Sequence, residues 1–482
     1  MLDEAFDLFA KAAPATVMIR GVLENILSAN RLNAVFEDVA TVQYTRDLAF
    51  SSVVRLMSEV VMRIRPSVHA AYREQADALD VTAKCIYDKL SGVEPVVSRE
   101  LVRRTSREME LVIRTMGGAL SSLLPGYRIR ILDGNHLAGT DRRLKLLRGE
   151  GGAALPGQAL VVLDPALKLV VDLFPCEDAH TQERALLCQV LEIVEAGDLW
   201  IEDRNFCTKR FVFGVARKDA AFLVRQHAGL PWEPLEEPVY VGESETGRVF
   251  EQRVRLRHDD GEELVVRRIT IELHKPTRDG EIVLHLLTNL PTEDADALTV
   301  VRLYSQRWQI ETAFQELTVD LCCEVSTLGY PKAALFGFSV AVLCYNAFSV
   351  TKAAIRAKHA DPVPAPSTVS RDAVPAMCRS TTQPPLTDEL STYYLADEVA
   401  GTWRGMMVML PEPFWARKFA DLSPVELANV LKDLAGRADM AKYRQRPPSR
   451  KRSPRKPPCQ PGSHVSTARI LQNRNLTRKC HL

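Results

Sequence analysis

The sequence predicts an α/β protein: a mixed-sheet core with a β-rich insertion, flanked by helical N- and C-terminal regions. Three observations carry this reading. Apolar residues keep a helical spacing as far as residue 118, and from Tyr127 the spacing becomes two. Residues 229–290 are then β-rich, with Asp-Gly dipeptides at hairpin distance, before helical spacing resumes near Ala295.

Phe50, Val53, Val54, Leu56, Met57, Val60 and Val61 fall on one helical face, and Val81 to Met116 repeats the pattern with Arg103, Arg104, Arg107 and Arg114. Those arginines suit either a DNA-binding module or the solvated face of a helical bundle. Tyr127, Ile129, Ile131 and Asp133 share one face of a strand. Gln158–Leu163 and Leu167–Phe174 read as a hairpin turning at Asp164-Pro165. A helix over Thr181–Glu195 follows, then a short strand, Leu199–Ile201, ending at Asp203. Asn205 is placed to cap a helix reaching about Arg217, although Phe211–Val215 also reads as strand, with a strand at Ala221–Arg225 after it. In the β-rich stretch, Arg248–Arg257, Glu263–His274 and Glu281–Leu290 read as strands turning at Asp260-Gly261 and Asp279-Gly280. One helix is expected over Ala295–Asp320, and an apolar one over Ala333–Val350. Ala360–Pro385 is rich in Pro, Ser and Thr and reads as a linker or long loop. Ser423-Pro424-Val425-Glu426 is a capping box opening a late helix.

At 482 residues, with 46% hydrophobic and 26% charged residues, the chain has the profile of a soluble globular protein of two or three domains. Its ten cysteines form no C-x-x-C pair, which points away from a zinc site or a disulfide framework and towards a reducing cytosol. Met1–Pro14 carries Asp3, Glu4 and Asp7 and lacks the basic start of a signal peptide. Gly337, Ser339, Tyr345 and Asn346 interrupt the apolar stretch, so a buried core helix is expected rather than a membrane span. The net charge of +1 is uneven: eleven Lys or Arg and no acid lie from Arg444 onward, leaving −10 on the remainder. DNA contact, if any, must come from local patches or from that tail.

Three carboxylates stand out. Asp133 follows two isoleucines on a strand face, where a lone carboxylate is costly to desolvate, unless the strand stops at Leu132 and Asp133 opens a turn. Asp203 ends a short apolar strand, the edge at which open α/β sheets place ligands, although it can equally cap a helix. Tyr304, Arg307 and Glu311 are three and four apart on one helical face, a spacing that ordinary surface ion pairs share. Chemistry gives a reason to join them. Phosphodiester transfer can use two divalent cations roughly 4 Å apart, and magnesium needs only a few carboxylates besides water and phosphate oxygens. Three antiparallel strands, helix, strand, helix, strand and a later helix bearing Glu is also the element order of a ribonuclease-H-like core.

Tyr304-Ser305-Gln306-Arg307-Trp308-Gln309-Ile310-Glu311 resembles the Y-x-x-R-x-x-x-E-x-x-x-x-x-x-K signature of bacterial insertion-sequence transposases of the IS-four family. The signature lysine is Thr318 here, so the DNA-end contact associated with that lysine is missing or supplied elsewhere. The resemblance implies that Asp133, in Asp133-Gly134-Asn135, and Asp203, in Asp203-Arg204-Asn205-Phe206, complete a catalytic trio with Glu311. It further implies two Mg²⁺ ions held by the trio, with Mn²⁺ as a substitute, and cut-and-paste transposition of an element with terminal inverted repeats. Arg307 and Tyr304 would hold phosphates, a homodimer would form the synaptic complex, and the place of action would be the bacterial cytoplasm and nucleoid.

The organisation expected is a helical DNA-binding region (1–118), a first core part (119–228), a β-strand insertion (229–290), a second core part (291–359), a helical C-terminal region (360–443) and a basic disordered tail (444–482). Arg253, Arg255 and Arg257 alternate on one strand face, where they can track a DNA backbone or stand solvated opposite acids such as Glu263. Structural roles are expected for His136 and His180, and packing for Trp308. Two other readings fit the same residues: a transposase-derived DNA-binding protein that no longer cuts, and a structure-specific nuclease on the same core.

Overall fold

In the computed structural model, which describes residues 1–43, 48–137, 154–277, 280–359, 390–445 and 465–479, helices α1 (Leu2–Ala12), α2 (Pro14–Ile26), α3 (Ala29–Val39), α4 (Phe50–Val61), α5 (Val68–Leu79), α6 (Ala83–Gly92) and α7 (Pro95–Met116) come first. Strands β1 (Arg128–Leu137), β2 (Ala154–Leu155), β3 (Gly157–Asp164) and β4 (Leu169–Cys176) follow, then α8 (Leu187–Glu192), β5 (Asp198–Glu202), α9 (Lys209–Ala216) and β6 (Ala221–Arg225). The β-rich stretch forms β7 (Glu233–Pro234), β8 (Val239–Glu243), β9 (Gly247–Arg257), β10 (Glu263–Leu273) and β11 (Val283–Thr288). Helices α10 (Ala297–Ser305), α11 (Trp308–Val319), α12 (Pro331–His359), α13 (Thr392–Met409), α14 (Glu412–Trp415), α15 (Pro424–Ala435) and α16 (Met440–Tyr443) come next, and β12 (Val465–Ser466) and α17 (Thr467–Lys479) close the chain.

Two compact units form, and they cut across the boundaries suggested by composition. Residues 1–26 group with 109–119 and 347–455, whereas 27–108 group with 120–346 and 456–482. The N-terminal helices are therefore divided between units. In the first unit α2 is buried along its whole length. Its polar groups find partners there: Glu398 accepts from the Thr16 amide (3.1 Å), the Thr16 hydroxyl (3.3 Å) and the Tyr443 hydroxyl (2.6 Å). Asn25 donates to the carbonyls of Phe419 and Leu422 at 2.7 and 2.9 Å. Ser423 and Glu426 make the capping box the sequence predicts.

The second unit holds one ten-stranded sheet in the order β4-β3-β1-β5-β6-β11-β10-β9-β7, with β8 also on β9. β1 is antiparallel to β3 and parallel to β5, and β5 is parallel to β6. That order, three antiparallel strands and two parallel ones, matches the core expected from the sequence. The insertion does not stand apart: β11 pairs antiparallel with β6, so β7–β11 prolong the same sheet. β3 is buried at every residue because it lies between β1 and β4 with both faces covered. The β3–β4 turn is held by Asp164, whose Oδ1 accepts from the amides of Ala166 and Leu167. The β9–β10 hairpin turns at Asp260-Gly261, where Gly261 takes φ 93°. Of the other predicted turn, Asp279 lies outside the described residues, as does the expected linker 360–385.

Several elements differ from the sequence reading. The helix expected over 181–195 is a 3₁₀ turn, Glu183–Leu186, continuing into α8. Thr208, not Asn205, caps α9, its hydroxyl accepting from the Phe211 amide. The helix expected over 295–320 breaks between α10 and α11: Gln306, Arg307, Gln309 and Ile310 donate to carbonyls three residues back instead of four. The tail is not wholly unstructured. β12 pairs with β2 and α17 follows it, while 446–464 lie outside the described residues. α12 is long and apolar enough to cross a membrane, and its apolar window is buried inside the protein throughout, as a core helix requires.

One core residue breaks the apolar pattern. Glu202 shares a sheet face with Trp200 and, by register, with Leu132 and Val224, all members of one hydrophobic cluster. It is fully buried, neither carboxyl oxygen has a hydrogen-bond partner, and burial pushes its pKa well above the ordinary carboxylate range. Glu202→Met is expected to raise unfolding free energy by about 1–3 kcal/mol, because it removes an unsatisfied buried polar group at similar volume. Thermal melts measure this, and a midpoint below that of the wild type refutes it.

Candidate active site

Parallel pairing of β1 and β5 puts two acids side by side. The register runs to Leu132↔Glu202; Asp133 is the next residue of β1, and Asp203 follows directly after β5. β1 continues to Leu137, so Asp133 lies within a strand rather than opening a turn. Asp203 leads into a 3₁₀ turn, Arg204–Phe206, without a side-chain cap bond, which leaves its carboxylate available. α11 packs on β1 and brings Glu311 to the same place.

Arg307, at the break between α10 and α11, ties these parts together. Its Nη1 donates to Asp133 Oδ2 at 3.0 Å and its Nη2 to Glu311 Oε1 at 2.8 Å. Burial works against its charge, yet Tyr304, Asp133, Asp203 and Glu311 hold its pKa above the ordinary value. All three predicted acids therefore act on one guanidinium. Burial pushes Asp133 up to about 6; Arg307 and the Gly134 amide oppose this, while Asp203 and Glu183 add to it. Burial likewise pushes the Tyr304 hydroxyl up to about 12, against the pull of Arg307.

As they stand, no three His, Cys, Asp or Glu among the described residues are grouped closely enough to hold a metal ion. The donor chemistry still fits a hard divalent cation: the converging groups are carboxylates, and a positive charge already sits among them.

Glu183 is a fourth acid that sequence reasoning missed. Its Oε2 accepts from Asn205 Nδ2 at 2.5 Å, and its Oε1 is 3.9 Å from His136 Nδ1. A Cβ on Gly134 would lie 1.9 Å from Glu183 Oε1, so the glycine after Asp133 is what admits this carboxylate. That glycine was the available signal. His136 thus has a carboxylate neighbour, and the His180 amide donates to Asp178.

Other predicted residues fall further out. Arg253 pairs with Glu236, and Arg255 and Arg257 both pair with Glu233 and Glu263, so their charges are matched on the insertion's own surface. Trp308, expected to pack, is 64% exposed beside Arg307. Thr318 is exposed, and its carbonyl accepts from Arg63 Nη2 at 3.5 Å.

Residues 124–346 match the family model of the transposase DDE domain. The matched span runs from just before β1 into α12 and so contains Asp133, Asp203, Arg307 and Glu311. The matched span includes the whole of β1–β11, with the insertion as part of its sheet. No curated protein sequence matches the chain. Among solved structures the chain is similar to the piggyBac transposase synaptic complex with hairpin DNA, at 12% identity and a TM-score of 0.39, over 87% of this chain and 85% of that one.

Proposed function

We propose that the protein is a DDE transposase of the IS-four type that cuts DNA at the ends of its own element and joins the freed ends to a target. The convergence of Asp133, Asp203 and Glu311 on Arg307, within the matched domain, is the observation that supports this most. Asp133, Asp203 and Glu311 would hold two Mg²⁺ ions, with Mn²⁺ as a substitute. Bound there, such ions supply Lewis-acid activation of the attacking oxygen and charge stabilisation of the leaving one.

The chain's own residues do the rest. Arg307 neutralises the acids before DNA arrives, and its planar fork suits a phosphate afterwards. Tyr304, partly buried one helical turn before Arg307, lies close enough to feel that guanidinium's charge and would help to position the phosphate it holds. Water attacks the phosphodiester at the element end and releases a 3′ hydroxyl; that hydroxyl then attacks a second phosphodiester, and one ester is exchanged for another. The exposed ring of Trp308 offers a stacking face for a base unpaired at the cut. The partners are double-stranded DNA bearing terminal inverted repeats, target DNA and a second copy of the chain in a synaptic complex, in the bacterial cytoplasm.

The test is incubation of the protein with duplexes carrying the inverted repeats that flank its gene, with Mg²⁺ or Mn²⁺. Nicking at the repeat boundary is expected. Binding without cutting under either ion overturns the catalytic reading and leaves a DNA-binding relic; cutting of branched junctions in preference to repeats replaces it with a structure-specific nuclease.

A further inference from the structure

At the far end of the helix that bears Glu311 sits a cation that the site above does not use. Arg63 follows α4 in a left-handed conformation, φ 59°. The hydrogen bonds around it are those of a helix terminus: the Ile64 amide donates to the Glu59 carbonyl and the Arg63 amide to the Val60 carbonyl. Glycine suits that position best, since it alone takes a left-handed backbone without strain. The chain carries an arginine instead, and the side chain is exposed.

Its guanidinium has a defined place. Nη2 donates to the carbonyls of Thr318 (3.5 Å), in the last turn of α11, and Leu321 (3.3 Å), just past it, and the Cys322 amide donates to the Val61 carbonyl beside it. Two carbonyls use one of the three nitrogens; an arginine has five N–H donors in a fixed fork. Among the described residues no carboxylate lies within ion-pair distance of Arg63, unlike Arg253, Arg255, Arg257 and Arg307. The Nε and Nη1 donors are thus free to meet an anion, on a fork that the carbonyls already orient.

We propose that Arg63 is a DNA-backbone contact, holding a phosphate of the strand that leads away from the carboxylates along α11. This rests on the transposase reading. Thr318 is seven residues beyond Glu311 on the same helical face, about 10 Å along the axis, or about three nucleotides of rise on one strand. A phosphate held there would set how the strand enters the site without touching the reacting bond, so Arg63 is a positioning residue.

Arg63→Gly separates this role from a purely structural cap, because it relieves the left-handed strain while removing the guanidinium. The readout is affinity for a labelled 40-base-pair duplex as a function of salt. Arg63→Gly is expected to melt at or above the wild-type temperature, to bind about tenfold more weakly, and to show a log–log salt slope shallower by about one. Thr318→Lys in the Arg63→Gly background is expected to restore slope and affinity, since it returns one cation to the same spot. If Arg63→Gly folds poorly, Arg63→Gln keeps donors for the two carbonyls without the charge and carries the same expectation. Unchanged affinity and slope in the folded variant overturn the proposal. Failure of the wild type to bind any duplex overturns the transposase reading instead.

Discussion

Glu311→Gln is expected to leave DNA binding within about twofold of the wild type while slowing cleavage roughly a thousandfold or more. The two side chains are nearly the same size, and Glu311 is partly exposed on the first turn of α11, so little packing is lost. What changes is charge. A neutral amide still accepts the Arg307 hydrogen bond seen at 2.8 Å, but it is a poor ligand for a hard divalent ion. The expected signature is a protein that shifts duplex in a gel, melts within a few degrees of the wild type, and accumulates no nicked product with Mg²⁺. Cleavage by Glu311→Gln at near wild-type rate would remove Glu311 from the catalytic set.

Arg307→Ala has the largest expected effect on stability. The guanidinium separates Asp133 from Glu311, and its side chain is only 14% exposed. Removing one partner from a buried ion pair leaves the other charge uncompensated, at a cost of 3–5 kcal/mol in fully buried cases. Glu311 is 37% exposed and solvent-screened, so roughly 3 kcal/mol is the expected loss near neutral pH. The pH dependence has a definite sign. Asp133 is pushed up to about 6 in the folded protein from an ordinary 3.8, so between those values the folded state binds more protons and stability falls as pH rises. Arg307 opposes that shift. Without it the window extends upward, and Arg307→Ala is expected to lose stability more steeply than the wild type between pH 5 and 8. Melts at the two pH values check this, and Mg²⁺ is expected to recover part of the loss in the variant. A variant as stable as the wild type at pH 8 would mean that the acids do not face one another once the arginine is gone.

The sheet was largely readable from the sequence because its period is local. Alternation from Tyr127 placed Asp133 on a strand, and Asp260-Gly261 placed the β9–β10 hairpin, each from residues within a few positions. What local pattern could not show is what distant segments do to one another. Tyr-Ser-Gln-Arg is compatible with continuous helix; the break at Gln306–Arg307 accompanies a hydrogen bond from Arg307 to a strand 174 residues away. Glu183 escaped notice because its approach to Gly134 joins a 3₁₀ turn to β1. The arginines of β9 were correctly placed on one face, but two of their glutamate partners, Glu233 and Glu236, lie in and beside a two-residue strand too short to leave a pattern. Trp308 was misjudged for a related reason: a ring on an apolar-looking helix packs only if another element covers it, and its residue remains 64% exposed.

The order of the sheet also bears on the birth of the protein at the ribosome. Asp133 in β1 and Asp203 directly after the neighbouring β5 come near the start of the matched span, but Glu311 follows only after β7–β11 have been made, roughly a hundred residues later. At 5–20 residues per second that is an interval of about 5–20 s in which two acids can be in place without the third or Arg307. A nascent chain therefore cannot assemble the full set of charges until its insertion has emerged, so a prematurely terminated product carries Asp133 and Asp203 at the sheet edge without Glu311 or Arg307.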